Sequence, residues 1–236
     1  MARTSMYKGI RIMADPGAHE EGFKLAKAVL KPGARILDIG AGAGAFAARL
    51  SDAGFQVDAN DIDQQSWKAS GIHKTSFDLN LPLPQAMIER GPYDMVAAIE
   101  TIEHLESPRK LLRDCKALLK PDGHLLVSTP NTANAYSRIL FFRKTLFHWF
   151  SPEEYGEIGH ITLLPPWLFE RHVSSVGLTV VNRSFVGWAV KPRVSLKGLL
   201  WRAIVPVLKM GMIRSGRGEL TRDIVLYLLR NEESAR

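Results

Sequence analysis

Cysteine is almost absent: Cys115 is the only one in 236 residues. No disulfide can form within the chain, which suits a reducing, cytoplasmic compartment, and a buried inert thiol is the default role for that side chain. Long apolar runs are missing as well. No uninterrupted stretch approaches the roughly 18 residues of a spanning helix. The opening MARTSMYKGIRIMADPG lacks the apolar core of a secretory signal. The expectation is a cytoplasmic chain, peripheral to a membrane at most. Repeats and low-complexity tracts are also lacking. With 46% apolar and 23% charged residues, the composition excludes a disordered chain and a disulfide-stapled miniprotein.

Acidic residues are lacking from the two segments to which the excess positive charge belongs. Segment 131–152 has Arg138, Arg143 and Lys144 with no Asp or Glu, and segment 191–217 has seven Lys/Arg with none. These ten exceed the net charge of +7, so the remainder is mildly acidic. Both segments are rich in large apolar side chains: Phe141, Phe142, Phe147, Trp149 and Phe150 in the first, Leu199, Leu200, Trp201, Ile204, Val205 and Leu208 in the second. Lys and Arg can lay their stems on apolar surface and keep their heads at a charged layer. An anionic membrane surface is one expected contact. A buried cap over an apolar acceptor is the other, since Pro206 would break any single amphipathic helix in the second segment.

What is present is an alternation of short apolar runs with helical patterns, the mark of an α/β domain with a parallel sheet. Strands are expected at 35–39, 55–60, 73–77, 93–99, 124–128, 178–188 and 220–229. Helices are expected at 19–30, 45–54, 108–119, 134–150 and 166–176. Segments 131–165 and 191–217 read as helical insertions into one domain spanning 1–236, because strands resume after each.

The chemistry begins at Gly40-Ala41-Gly42-Ala43-Gly44, between the first of these strands and a helix. Free N–H groups at such a helix start, with glycines allowing close approach of the backbone, suit a nucleotide-like cofactor. Asp61, 21 residues beyond Gly40, stands where a carboxylate accepts both hydroxyls of a ribose. This fits a nicotinamide dinucleotide as well as S-adenosylmethionine, because Ala45 satisfies the dinucleotide spacing. Asp38 tilts the balance: its carboxylate would repel a pyrophosphate but could pair with the ammonium of a methionine moiety.

These residues resemble the class I S-adenosylmethionine-dependent methyltransferases. LDIGAGAG (Leu37 to Gly44), DAND (Asp58 to Asp61), FDLNLPLP (Phe77 to Pro84), YDMVAAIETIEHL (Tyr93 to Leu105) and LLKPDGHLLVSTPN (Leu118 to Asn131) resemble its successive motifs in order and spacing. The small-molecule branch that includes ubiquinone-pathway O-methyltransferases, with an EH pair after the fourth strand, is the most similar. The resemblance implies a Rossmann-like, doubly wound, mostly parallel seven-stranded sheet with an antiparallel last strand. It implies S-adenosylmethionine as cofactor and S-adenosylhomocysteine as product. The cofactor residues it implies are Asp38, Gly40, Ala41, Gly42, Gly44, Asp61, Ile62, Asp78, Leu79 and Ile99. Asp122 stands where the family usually has glycine, and Asp tolerates positive φ well enough for the turn to survive.

Methyl transfer is an in-line displacement, so alignment can lower the barrier by up to about 7–11 kcal/mol. A hydroxyl nucleophile gains about 10²–10⁴-fold more from a positioned base. His104, after the fourth strand at the carboxyl edge of the sheet, is the leading candidate, set against a histidine that merely packs the turn. His160, in Gly159-His160-Ile161-Thr162, is a second candidate base or substrate contact, or else a structural loop residue. Glu100, Glu103 and His104 share one face if they lie on one helical turn, where they could hold a divalent ion or form a solvated face. No metal is assigned. His19 and Tyr7 to Arg11 could lie near the methionine end of the cofactor or be ordinary surface.

The expected acceptor is a small molecule or lipid-like, methylated on a hydroxyl oxygen. A nucleic-acid methyltransferase is a rival suggested by the basic pI of 9.6. It is disfavoured by IETIEH at the place where amino-methylating DNA enzymes resemble one another in an Asn/Asp-Pro-Pro-aromatic run on which a flipped base stacks, and by basic residues interleaved with aliphatic ones. A nicotinamide-dependent reductase is a second rival, permitted by Ala45 and disfavoured by Asp38. A non-catalytic, membrane-associated adaptor on the same fold is a third, and it would require a dead cofactor site.

Overall fold

The computed structural model describes residues 5–189 and 217–232. Nearly all of the expected insertion 191–217, with six of its seven cations, therefore lies outside the described residues. A two-stranded hairpin, β1 (Met6–Tyr7) and β2 (Ile10–Arg11), precedes the main body. Next come α1 (Pro16–Val29), β3 (Arg35–Ile39), α2 (Ala45–Asp52), β4 (Gln56–Asn60), β5 (His73–Thr75), α3 (Gln85–Arg90) and β6 (Tyr93–Ile99). A single 3-10 turn, Ile102–His104, leads into α4 (Pro108–Leu118) and β7 (Leu119–Pro130). The chain continues with α5 (Ala135–Lys144), α6 (Pro152–Ile158), α7 (Pro166–Ser175), β8 (Thr179–Val186), α8 (Arg217–Thr221) and β9 (Ile224–Arg230).

The seven strands β3–β9 form one sheet in the order β5-β4-β3-β6-β7-β9-β8. β9 is antiparallel to both of its neighbours, and the other pairings are parallel. The doubly wound, mostly parallel sheet with an antiparallel last strand is as expected. Successive strand residues point to opposite faces, and helices cover both. On one face Leu37, Ile39, Val96, Ala98, Leu125 and Val127 pack with Leu111 and Leu112 of α4 and Phe169 and Val173 of α7. On the other, Ile36, Met95, Ala97 and Leu126 pack with Leu25 and Ala26 of α1 and Phe46 and Leu50 of α2. Burial on both sides explains why these strands read as continuous apolar runs. The winding reverses between β3 and β6, and the crevice beyond the carboxyl ends of strands at such a switch point is where ligands bind.

Several boundaries differ from the sequence reading. The helix expected over 134–150 ends at Lys144, because Thr145 adopts φ 57° and Trp149 φ 70°, folding Phe147 onto Phe150 as an isolated bridge. A helix not anticipated, α6, follows; Ser151 and Glu154 close its first turn as a reciprocal capping box, a pattern visible in SPEE. The last strand starts at Ile224 rather than Leu220. The preceding turn of helix is held by the Asn131 amide, which donates to the carbonyls of Glu219 and Arg222. The third strand shortens to His73–Thr75. The fifth begins early, at Leu119, and accommodates Asp122 at φ 59° by a register shift against β6. The first helix also starts early, at Pro16, capped by the Asp15 carboxylate accepting from the Gly17 N–H.

Candidate functional site

A cavity of about 1060 Å³ opens over the switch point, at the upper end of the roughly 300–1,000 Å³ typical of ligand sites. One half is built by the turns after β3, β4 and β5. Gly40 sits at φ 66°, and a Cβ there would lie 2.4 Å from Thr101 Oγ1, so the turn admits only glycine. Gly42 donates its N–H to Asp61 Oδ2 at 2.6 Å, and Asp63 N–H donates to Asp61 Oδ1 at 2.8 Å. These bonds fix the Asp61 carboxylate at the end of β4 while leaving lone pairs for hydroxyl donors. Asn60, fully buried, donates to Phe77 O and accepts from Thr75 Oγ1, which ties the Asp78 loop to β4. Asp78 in turn accepts from Asn80 N–H. Ala41, Ile62, Leu79 and Ile99 also line this cavity.

Asp38 is 1% exposed and lines the cavity, with Oδ2 lacking any hydrogen-bond partner. Burial pushes its carboxyl up to about 8, and the neighbouring Asp61 charge adds to the shift. A cationic group arriving beside it would restore the ionised form. Gly44 is placed differently from the other loop residues. It caps α2 at φ 89° beneath Trp67 and Ala69 and lies outside the cavity lining.

The other half is assembled from distant segments: His104 and Leu105 after β6, Pro130 at the end of β7, Trp149, Glu157, Ile158 and His160 from the α5–α6 region, and Asp223 before β9. The carbonyl of Glu103 accepts from Ile161 and Thr162 N–H, which draws the His160 loop onto the 3-10 turn. The two imidazoles meet edge to face at 4.8 Å. Each uses Nδ1 on a backbone carbonyl, His104 on Gly159 at 3.0 Å and His160 on Trp149 at 2.8 Å. A carbonyl can only accept, so both Nδ1 atoms carry the proton and both Nε2 atoms are left as bases. Burial lowers both pKa values.

Glu100, Glu103 and His104 do not share a helix face. Glu100 stands at φ 48° before the turn, and its Oε2 accepts from Asp15 N–H at 3.1 Å. The group that could hold a metal ion among the described residues is instead Glu103, His104 and His160, with ligand atoms within 4.8 Å of one another. Trp149 lies in the segment expected to cap the acceptor, whereas sequence reasoning missed Asp15, Glu157 and Asp223 as cavity residues. None carries a local motif, and only tertiary contacts bring them together. The amino-terminal segment does reach the site: Arg11, Met13 and His19 line the cavity, and the Met13 side chain lies over Gly42.

The fold and this half-cavity define a doubly wound α/β protein with a site for an adenosine-type cofactor. Residues 18–182 match the family described as "Methyltransferase domain", and the chain belongs to that family. S-adenosylmethionine is the cofactor that this family and fold imply. A ubiquinone biosynthesis O-methyltransferase of Xanthomonas campestris pv. campestris is 32% identical over 117 residues, 47% of this chain and 49% of that protein. One from Caulobacter sp. (strain K31) is 32% identical over 127 residues, 51% of this chain and 50% of its own length. The chain spans about half the length of these curated relatives. A structure of a SAM-dependent methyltransferase from Archaeoglobus fulgidus superposes with a TM-score of 0.61 at 16% identity, covering 90% of this chain and 94% of that one. At that identity the likeness is one of fold.

Proposed function

We propose that this protein transfers the methyl group of S-adenosylmethionine to a hydroxyl oxygen of a small-molecule or lipid-like acceptor, releasing S-adenosylhomocysteine. The observation that carries this reading is the pair of imidazoles, His104 and His160, each held through Nδ1 on a backbone carbonyl and lining the same cavity as Asp38, the glycine turn and Asp61. In this reading Asp38 holds the cofactor's ammonium, Asp61 the ribose hydroxyls and Asp78 the adenine amino group. Gly40, Ala41 and Gly42 line the methionine end, and Ile62, Leu79 and Ile99 pack on the apolar surface. Gly44 contributes by holding the turn.

His104 takes the proton from the attacking hydroxyl, and His160 orients the acceptor. The relatives named for ubiquinone biosynthesis support an oxygen nucleophile of phenol type. A nucleic-acid acceptor is disfavoured by the acidic lining of the cavity, where a phosphate backbone would be repelled. A second version of the mechanism has Glu103, His104 and His160 holding a divalent ion that acidifies the acceptor, favoured by their spacing. Turnover that is indifferent to chelator eliminates it.

Segment 131–165 is proposed to cover the acceptor half within one domain. Phe142, 91% exposed, and Phe141 stand beside Arg143 and Lys144 at the end of α5, a combination suited to contact with an anionic membrane. Incubation with radiolabelled cofactor and fractionated cell extract tests the function directly. A labelled small product is expected. Calorimetry showing no heat with S-adenosylhomocysteine but saturable binding of a nicotinamide dinucleotide would overturn the assignment.

A further inference from the structure

The charges lining the cavity are lopsided. Seven Asp and Glu residues line it, and Arg11, at the amino-terminal rim, is the only Lys or Arg among the described lining residues. Three of the carboxyls, Asp38, Asp61 and Asp78, belong to the cofactor half. The other four, Asp15, Glu100, Glu157 and Asp223, come from the start of α1, the end of β6, α6 and the start of β9. Asp223 and the Glu100 Oε1 atom are buried, whereas Glu157 is exposed. Glu100 and Asp223 lie on the β6-β7-β9 side of the switch point, across the sheet order from β4 and β5, and so are separated from the places proposed for ribose and adenine.

Both are fixed, and each keeps capacity for a further hydrogen bond. Glu100 Oε1 is sealed from solvent and has no hydrogen-bond partner, although Oε2 of the same carboxyl accepts from Asp15 N–H. The backbone stays at φ 48°, a conformation that costs a non-glycine residue energy and persists only where the surroundings enforce it. The Glu100 N–H donates to the Ser128 carbonyl and hydroxyl oxygens, holding it there. Asp223 is 7% exposed, and its backbone is tied on both sides, accepting from Asn131 N–H and donating to Val186 O. Its Oδ1 lies 2.9 Å from His148 Nδ1, and the His148 ring stacks on Trp149 at 4.9 Å. Trp149 also lines the cavity.

Two carboxyl groups near a tryptophan, with no Lys or Arg beside them among the described lining residues other than Arg11 at the rim, make an environment rich in hydrogen-bond acceptors. An anionic group entering it would find acidic side chains and few cationic partners among the described residues. A neutral hydroxyl would supply one donor. A protonated amine supplies three donors and a charge, and an aromatic face adds cation–π attraction. We propose that the methyl acceptor carries a protonated amine, seated between Glu100, Asp223 and Trp149, with its nucleophilic hydroxyl directed to His104. This inference rests on the methyl-transfer reading and narrows its acceptor to cationic hydroxy compounds.

Three phenols of nearly equal size, tyramine, tyrosol and phloretate, differ only in a cationic, neutral or anionic tail. Their binding to protein saturated with S-adenosylhomocysteine is to be measured by calorimetry or ligand-observed NMR. A hydrogen bond to a charged group corresponds to about tenfold or more in affinity. Tyramine is expected to bind at least about tenfold more tightly than tyrosol, and phloretate most weakly.

Glu100→Gln should remove the tyramine advantage and leave tyrosol unchanged. Asp223→Asn is a second variant should the first misfold, and each variant's affinity for S-adenosylhomocysteine reports its folding. Binding of phloretate equal to that of tyramine, a tyramine preference that survives both substitutions, or no binding of any of the three overturns the proposal. If the wild-type protein fails to bind S-adenosylhomocysteine alone, it is the cofactor reading that falls. If that binding is intact without charge discrimination, only the amine assignment falls.

Discussion

The two halves of the cavity are built in opposite ways. In the half proposed for the cofactor, each residue lies at or just beyond a strand end: Asp38 and Gly40 at β3, Asp61 at β4, Asp78 in the loop after β5. Short-range hydrogen bonds such as Asp63 N–H to Asp61 Oδ1 and Asn80 N–H to Asp78 Oδ1 aim them. In the acceptor half, His104 and His160 are 56 residues apart in sequence and meet because a loop hydrogen-bonds to the Glu103 carbonyl. A half made of consecutive strand ends has little freedom to change and constrains the cofactor; one made of loops crossing the sheet can be rebuilt to take another acceptor.

The largest effect expected lies in the cofactor half. Gly40→Ala combines a left-handed backbone with a Cβ overlapping Thr101, so the variant should lose measurable binding of S-adenosylhomocysteine and melt well below wild type. Intact binding would mean that the turn relaxes at little cost and that the rigidity attributed to this half is overstated. Next comes His104→Ala, which should reduce turnover by about 10²–10⁴-fold while changing cofactor affinity little. If affinity and turnover fall together, the two halves are not separable. Turnover itself should decline in acid as the His104 Nε2 becomes protonated. Because burial lowers that pKa, the decline should fall below the ordinary imidazole range near pH 6.5.

Asp61→Ala is expected to weaken S-adenosylhomocysteine by about tenfold or more, read by calorimetry, with no change in the pH at which His104 acts. A smaller effect concerns stability. The Asp38 carboxyl in the folded protein titrates at about 8, above its unfolded value, so the stability it contributes is complete below about pH 4 and is lost as pH rises through 8. Asp38→Asn should therefore melt higher than wild type at pH 9, with the gap closing toward pH 4, while binding cofactor more weakly. On the order of 1 kcal/mol would appear as about 2–4 °C in a chain of this size; an Asn variant with no pH-dependent gain would show that the carboxyl is solvated when the site is empty. The smallest effect is at the end of α5, where Phe142→Ser should reduce salt-sensitive flotation with anionic vesicles and leave turnover on a water-soluble acceptor unchanged. Equal flotation would remove Phe142 from any membrane contact.

The sheet and the cofactor half are legible in the order of the residues. A fully buried strand must be apolar, and RILDI and YDMVAAI declare themselves for that reason; a glycine turn between strand and helix is fixed by backbone sterics within five residues. Even there, Gly44 proved to be a packing position under Trp67, because which side of a turn faces a ligand depends on what folds over it. The acceptor half exists only once the chain has folded. Nothing local places Glu100 against the start of α1, Asp223 against His148, or Trp149 in a cavity. A buried carboxylate and an exposed one are written with the same letter, and only the packing around Glu100 sets its carboxyl titrating at about 8, with burial the main cause.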